Sequence, residues 1–134
     1  VSMMRFQCVT CFHIVGSTLD RWAEVVYAGI RSFWVDNCES LKELKEACVD
    51  RIAISGNVVP VDVLRNGTPD EIAENIRQCI ADAADNPCGY NLCPGCTTPV
   101  GTSKENMIAF MNAAAIYGKG ARKGQMPKGM KKYV

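Results

Sequence analysis

Short apolar runs and longer helical patterns alternate four times along this chain. Runs rich in β-forming residues at 6–14, 32–36, 51–55 and 89–92 predict four strands. Each run precedes a stretch whose apolar residues recur at helical spacing, which predicts four helices. Strands that alternate with helices lie parallel, because each helix carries the chain back across the sheet. The pattern therefore predicts an α/β fold of four successive strand-helix units.

The third helix has the strongest start signal in the chain. Thr68 is an N-cap candidate, Pro69 suits the first helical position, and Glu71 would complete a capping box. The apolar residues that follow share one helix face, which is expected to pack against the sheet. They are Ile72, Ile76, Cys79, Ile80 and Ala83.

The first two helices have shorter patterns. A turn at 16–18, with Thr18 as an N-cap candidate, predicts a first helix over residues 19–29. Ser40, with Glu43 three residues later, predicts a capping box for a second helix that runs through Cys48.

The fourth helix is predicted to begin at a capping box of Thr102 and Glu105 and to end at Gly118. Its spacing predicts an apolar face made of Met107, Phe110, Met111 and Ala114.

Four units of this kind form only part of a closed parallel barrel. Right-handed crossovers place the carboxyl ends of all four strands on one side, where α/β sheets and barrels bind their ligands. The loops on that side begin after His13, Asp36, Asn57 and Leu92. We therefore expect the chemistry of the chain at these four loops.

Composition favours a single domain without a strong electrostatic preference. The chain has 134 residues, 48% of them hydrophobic and 22% charged, and a net charge of +1. We predict one barrel-type domain over residues 1–118 and a basic Gly/Lys-rich tail over 119–134, flexible or docked on a partner. The near-neutral charge gives no reason to expect nucleic acid as a partner, and no apolar run is long enough to span a membrane. We expect a cytoplasmic protein.

The chain has eight cysteines, and such a number can indicate a small disulfide-rich scaffold. The long predicted helices argue against that interpretation, because such scaffolds are short and loop-rich. We expect reduced thiols, several of them buried as small hydrophobic groups. The spacing Cys8-x-x-Cys11 falls inside a predicted strand, where alternate side chains point to opposite faces, so the two thiols should not chelate one metal together. Cys93-x-x-Cys96 instead enters a loop shaped by Pro94.

Three residues are candidate zinc ligands. His13, the single histidine, falls at the end of the first strand, and Cys11 lies one pleat deeper on the same side. Cys96 follows the fourth strand in a tight loop. An imidazole and a thiolate from the first and fourth strands suit a zinc ion with an open position, which would lower the pKa of a substrate thiol. A structural histidine and buried cysteines are the alternative.

Two polar residues complete the candidate site. Asp36 ends the second strand, where it could accept a proton, and a carboxylate that caps the following helix is an equally good interpretation. Asn57 follows the third strand, where it could line the substrate pocket or accommodate a turn.

The residues at these strand ends also resemble a known family. The segments CFHIVGST, FWVDN, ISGNVVPVDVLRNGTPDEI and GYNLCPGCTTPVGTSKENM are similar, in order and spacing, to the C-terminal half of the uroporphyrinogen decarboxylase superfamily. The resemblance covers about residues 6–118, and its most specific part is the stretch GNVVPVDVLRNGTPDEI. It implies the C-terminal half, four βα units, of a (β/α)8 TIM barrel. A complete barrel typically has about 250 residues, so the N-terminal half would come from a separate chain, from self-association or from a longer protein.

One position selects a branch of the superfamily. The decarboxylases typically have a histidine where this chain has Cys96, whereas the methylcobalamin:thiol (coenzyme M type) methyltransferases have a zinc-binding cysteine there. The resemblance to that branch implies zinc held by a His-x-Cys motif and the distant cysteine. His13 matches the histidine, but Val15 stands where the motif has its cysteine. Either Cys11 replaces that ligand, the missing half supplies one, or the site holds no metal.

The resemblance implies part of a corrinoid-dependent methyltransferase, which transfers a methyl group between a corrinoid (cobalamin-type) protein and a small-molecule thiol or similar acceptor, with zinc activation. A uroporphyrinogen decarboxylase-like enzyme that acts on tetrapyrrole carboxylates is the first alternative. A non-catalytic binding or assembly subunit is the second, because Val15 leaves the zinc site one ligand short.

Overall fold

Four parallel strands in the order β1-β2-β3-β4 form the sheet of the computed structural model, which describes residues 10–48 and 50–132. The strands are β1 (Cys11–Ile14), β2 (Ser32–Val35), β3 (Ala53–Val58) and β4 (Tyr90–Pro94). The register pairs each strand in parallel with its sequence neighbours. The predicted order and direction of the strands are therefore confirmed. Residues 6–9 of the first predicted strand, including Cys8, lie outside the described residues.

Four α-helices connect and follow these strands: α1 (Trp22–Tyr27), α2 (Leu41–Cys48), α3 (Pro69–Ala83) and α4 (Lys104–Tyr117). None of the helices in the described residues is long and apolar enough to cross a membrane.

The core lies between the helices and one face of the sheet. Phe33, Val35 and Ile54 alternate along their strands and are fully buried in the same cluster as the apolar face of α3. The residues between them, such as Ser32 and Trp34, belong to the opposite face and are only partly buried. No described helix covers that second face, which we call the inner face.

The start of α3 forms as predicted. The Thr68 hydroxyl accepts the Glu71 N–H, and the Glu71 carboxylate accepts the Thr68 N–H at 2.7 Å, so both halves of the capping box are present. These bonds satisfy N–H groups that have no partner within the helix. In α2, the Ser40 hydroxyl likewise accepts the Glu43 N–H at 3.2 Å.

The first helix begins later than predicted. Residues Leu19–Arg21 form a 3-10 turn, and α1 itself begins at Trp22. Thr18 does not cap the helix with its side chain. Its hydroxyl instead accepts the Trp22 indole N–H at 3.2 Å and donates to the Glu39 carboxylate at 3.2 Å. A hydroxyl committed to these two partners leaves the first turn without its predicted cap.

The prediction for the start of α4 was wrong by one residue. Ser103, not Thr102, is the N-cap, and its hydroxyl accepts the Asn106 N–H at 3.1 Å. The Thr102 hydroxyl donates instead to the Pro99 carbonyl at 2.8 Å in the preceding turn. Glu105 therefore does not form the predicted capping box, although Gly118 ends the helix as expected.

The predicted buried face of α4 was also partly wrong. Met107 and Met111 are 36% and 62% exposed, whereas Asn106 is buried together with Phe110 and Ala113. The Asn106 amide explains the rotation, because its N–H groups bond to the carbonyls of Leu64, Arg65 and Gly67 at 3.0–3.2 Å. Leu64 and Arg65 end a π-helical turn, Pro60–Arg65, and Gly67 follows two residues later.

Two further segments differ from the simplest expectation. The third strand continues beyond Ser55 to Val58, because Gly56, Asn57 and Val58 pair with β4. The described part of the tail, residues 119–132, folds back on α4, and its 3-10 turn (Lys128–Met130) buries Met130 completely.

Candidate functional site

His13 lies near the carboxyl end of β1 on the inner face, beside Trp34 of β2. Its Nδ1–H donates to the Trp34 carbonyl at 3.0 Å. A carbonyl only accepts, so a neutral imidazole here has its proton on Nδ1 and its lone pair on Nε2. Nε2 is buried and has no hydrogen-bond partner among the described residues. The ring therefore presents an oriented and unused acceptor at the strand end.

Trp34 connects this histidine to the last strand. Its indole stacks on the His13 imidazole with ring centroids 4.0 Å apart. The indole N–H donates to the Pro94 carbonyl at 2.7 Å, which reaches across β3 to the end of β4. From the sequence alone Trp34 is most simply a packing residue, since no local pattern indicates which ring or carbonyl it contacts. The strand register, which places it opposite His13, is the signal that would have identified it.

Asp36 organises the loops after β1 and β2. One carboxylate oxygen accepts the Gly16 N–H at 2.8 Å and the other accepts the Cys38 N–H at 3.2 Å. The residue is buried. Burial, the Asp36 charge and the Glu39 charge together raise the pKa of the Cys38 thiol. The carboxylate thus serves as a bridge between two loops in this structure.

Glu39 is a buried carboxylate that sequence reasoning missed. It accepts the N–H and the hydroxyl of Thr18, so it joins the loop before α1 to the loop before α2. In the sequence it lies directly before the N-cap residue Ser40, a position typical of an ordinary exposed charge. Only the approach of the two loops reveals its role.

Asn57 is buried in β3 and has no free amide group. Its N–H groups donate to the main-chain carbonyls of Asp36 and Glu39 at 2.9 and 2.8 Å. The Cys79 thiol, on α3, lies 3.8 Å from its carbonyl oxygen. The side chain therefore fixes the loop after β2, and its use as a substrate contact stays a prediction.

Cys96 lies in a loop that packs tightly against the loop after β2. The Gly95 N–H donates to the Val58 carbonyl at 2.9 Å. A Cβ at Gly95 would lie 2.5 Å from the Asn37 nitrogen, closer than packed atoms approach. Only glycine fits this contact. The Cys96 thiol is half-buried, and its sulfur lies 3.9 Å from the hydroxyl oxygen of Thr97.

The remaining thiols on the inner face differ in accessibility. Cys11 is exposed and occupies the pleat before His13, as predicted. Cys93 pairs with Asn57, and burial raises its pKa to about 11. A thiol with that pKa is protonated at neutral pH when no metal is bound.

The described donors do not form a complete zinc site. In residues 10–48 and 50–132, no three His, Cys, Asp or Glu side chains come together in a group that could hold a metal ion. Zinc in proteins ordinarily has three or four protein ligands. His13, with its unpaired Nε2, supplies one suitable donor, but Val15 is 63% exposed and apolar. The residues present therefore do not fit a self-contained zinc site.

Comparison with known proteins gives the context of this site. The uroporphyrinogen decarboxylase family profile matches residues 4–117. A curated relative, the methylcobamide:CoM methyltransferase MtbA of Methanosarcina acetivorans, is 28% identical over 116 residues. The match covers 87% of this chain and 32% of the relative.

Solved structures agree with the sequence match. A methyltransferase from Methanosarcina mazei superposes with a TM-score of 0.67 at 27% identity, over 80% of this chain and 31% of that chain. The four βα units are thus a half-barrel of the (β/α)8 type, as expected. The chain spans about a third of the length of these two proteins.

Proposed function

Because this chain belongs to the uroporphyrinogen decarboxylase family, we propose that it is part of a methyltransferase that moves a methyl group between a corrinoid carried by a partner protein and a thiol. Two proteins that it resembles over most of its own length are methyltransferases, and one of them is named for methylcobamide and CoM. Since the chain corresponds to a third of each, the reaction is proposed for the assembled barrel.

The unpaired Nε2 of His13 is the observation that carries this proposal. A buried polar atom without a partner costs about 1–3 kcal/mol and calls for an explanation. The other such atom among the described residues, Asn86 Oδ1, lies in the loop before β4, at the opposite end of the sheet. A thiol that enters from the inner face could donate its proton to Nε2. The sulfur would then attack the methyl carbon, and the electron pair of the broken bond would leave with the methyl donor.

The other candidate residues are proposed to hold the loops around this acceptor. Asp36 bridges the loops after β1 and β2, and Asn57 fixes the latter loop to β3. Cys96 would lie at the mouth, beside the acceptor thiol. A zinc ion bound by His13 and Cys96 would need a further ligand from outside the described residues, or Cys11 after a local rearrangement.

Closure of the barrel is proposed to come from further strands beyond those described. Both outer strands, β1 and β4, have one unpaired edge among the described residues, and no described helix covers the inner face. Unpaired edges and an open barrel interior are unfavourable in water. Three partners could pair these edges and cover the interior: a separate N-terminal half-barrel, a second copy of this chain or further strands of a longer polypeptide.

The test uses the full 134-residue chain, alone and mixed with a polypeptide that carries the first four βα units of a family member. Methylcobalamin and 2-mercaptoethanesulfonate are added, and mass spectrometry measures the S-methyl product. We expect product in the mixture and a loss of about a hundredfold or more in His13→Ala. Tyr27→Phe, at a fully solvated position, is the matched control. An unchanged rate in His13→Ala, or a folded mixture without product, would overturn the proposal.

A decarboxylase is the second candidate, because the matching profile is named for uroporphyrinogen decarboxylase. The same mixture is therefore also incubated with uroporphyrinogen, and chromatography measures loss of carboxyl groups. If the mixture binds a corrinoid protein that carries methylcobalamin but turns over neither substrate, the result would instead support an assembly subunit.

A further inference from the structure

A second cavity lies on the helix side of the sheet, away from the inner face. It has a volume of about 380 Å³ and is enclosed by α3, β4, α4 and the segment 118–127. Tyr90 and Leu92, which line it, alternate in β4 with Asn91 and Cys93 and therefore point away from the inner face. No residue of the candidate methyl-transfer site takes part in this cavity.

The wall of the cavity is apolar. Ile80 and Ala84 from the α3 side, Leu92 of β4 and Ala114 of α4 form its floor and sides. The one hydroxyl in the wall, that of Tyr90, already donates to the Gly56 carbonyl. An apolar wall without a free side-chain donor suits the hydrocarbon part of a ligand.

The rim of the cavity is cationic. Arg122 and Lys123 line it, and no acidic side chain does. Neither cation forms an ion pair with a described residue at 4.0 Å or less. Two unneutralised cations above an apolar wall favour a ligand with an anionic end.

An ordered turn carries these two exposed cations. Arg122 and Gln125 form an antiparallel bridge, and the Gln125 N–H donates to the Arg122 carbonyl at 3.1 Å. A Cβ added to Gly89, directly before β4, would lie 3.8 Å from Cγ of Lys123, so this side chain runs close to the start of the strand. The buried Met130 anchors the same segment on α4. The rim is therefore part of the fold and not a mobile tail.

We propose that this cavity binds a small amphipathic carboxylate, with its hydrocarbon chain between α3 and α4 and its carboxylate at Arg122 and Lys123. The volume is near the lower end for ligand pockets, about 300–1,000 Å³, which limits the ligand to a short acyl chain. A free fatty acid has both the apolar chain and the anionic end, whereas an ester of the same acid lacks the charge. The proposal does not depend on the proposed methyl transfer.

The experiment titrates octanoate into the full isotope-labelled chain and follows the methyl and amide resonances by NMR. We expect octanoate to shift the signals of Ala84, Leu92 and Ala114, and octanol and octyltrimethylammonium to bind more weakly. Methyl octanoate, which has no charge, distinguishes the free acid from an ester. If it binds as tightly as octanoate, the carboxylate contact is refuted.

Three variant proteins complete the test. Arg122→Glu combined with Lys123→Glu should weaken octanoate binding about tenfold, since one exposed ion pair contributes a factor of up to about five. Lys131→Glu with Lys132→Glu makes the same charge change outside the cavity and should leave the affinity unchanged. Ala114→Phe should abolish binding by filling the cavity. Equal affinity in the two charge-reversed proteins, or shifts confined to the inner face, would overturn the proposal.

Discussion

The imidazole of His13 is held by Trp34 in two ways, through a ring stack at 4.0 Å and through a hydrogen bond from Nδ1 to the Trp34 carbonyl at 3.0 Å. The first contact depends on the indole and the second does not. The indole also bonds to Pro94, so one residue links the ends of β1, β2 and β4.

Replacement of this indole separates its contacts. Trp34→Phe keeps an aromatic ring beside His13 but leaves the Pro94 carbonyl without its donor, which should lower the free energy of unfolding by about 1 kcal/mol. Release of that carbonyl should also loosen the adjacent loop and raise the alkylation rate of Cys96. Urea denaturation and peptide mapping with iodoacetamide measure the two effects.

The matched control for this variant is Trp22→Phe, which loses an indole bond to Thr18 and keeps the bond from Trp34 to Pro94. It should lose stability but leave Cys96 alkylation unchanged. Equal Cys96 rates in the two variants would contradict the link between Trp34 and the loop after β4.

Gly95 should tolerate no side chain. In Gly95→Ala the new Cβ would meet the Asn37 nitrogen at 2.5 Å, so the two loops must separate. We expect a loss of about 1–3 kcal/mol of stability and shifted amide resonances at Asn37. Gly16→Ala is the contrast, because its Cβ meets open space and its cost arises only from a φ of +90°. A Gly95→Ala protein with unshifted Asn37 resonances would refute this contact.

The capping box of α3 should depend on pH. Hydrogen bonds from Thr68 hold the pKa of Glu71 below its usual 4.5. A lowered pKa in the folded state means that the stabilisation is complete above the unfolded value and is lost as the pH falls through the folded value. Thr68→Ala should cost about 1 kcal/mol at neutral pH. Thr68→Ser should restore most of it.

The measurement for the capping box is the urea midpoint between neutral pH and pH 3, compared with Glu71→Gln. In that variant the part of the acid sensitivity that arises from this carboxylate should vanish. An identical pH profile in the two proteins would argue against the bond.

The thiols should differ in reactivity according to their burial. Burial raises the pKa of both Cys79 and Cys93 to about 11, so both are almost fully protonated at neutral pH. We expect rapid alkylation of exposed Cys11, slower alkylation of Cys96, and still slower reaction of Cys93 and Cys79. Because only the thiolate reacts, the Cys93 rate should increase with pH up to about 11. Mass spectrometry of timed samples measures the order, and equal rates for Cys93 and Cys96 would contradict it.

Zinc should bind weakly to the chain alone, since its described residues gather no three donors. Protein purified without chelator and then dialysed against EDTA is expected to retain little metal by elemental analysis. His13→Ala should lower any residual binding, whereas Cys48→Ser, at a buried thiol, should not. About one zinc per chain that survives dialysis and disappears in His13→Ala would instead indicate a complete site.

The sequence predicts those parts of the fold that local signals determine. The Thr68 cap and the apolar face of α3 depend on residues close in sequence, and both predictions are confirmed. The apolar residues of α4 surround the helix, so spacing alone does not select a face. Asn106 selects it through bonds to carbonyls about forty positions earlier, which no local pattern contains.

In the candidate site, too, local sequence predicts some features, whereas contacts between distant residues determine the others. The strand ends are predictable because alternation and topology place His13 and Asp36 on one side of the sheet. The partners of their side chains are set by loops that meet only in the folded chain, as Glu39 and Thr18 do. The candidate zinc ligands were predicted from the residue types at the strand ends, and the resemblance added the expected His-x-Cys motif, from which this chain departs at Val15.

The group that sets the tautomer of His13 is a main-chain carbonyl, and every amino acid provides one. Substitutions at position 34 can therefore change the ring that lies against the imidazole while the proton stays on Nδ1 and the lone pair on Nε2. Sequence drift at this position would adjust how firmly the histidine is held, and it would leave the direction of its chemistry unchanged.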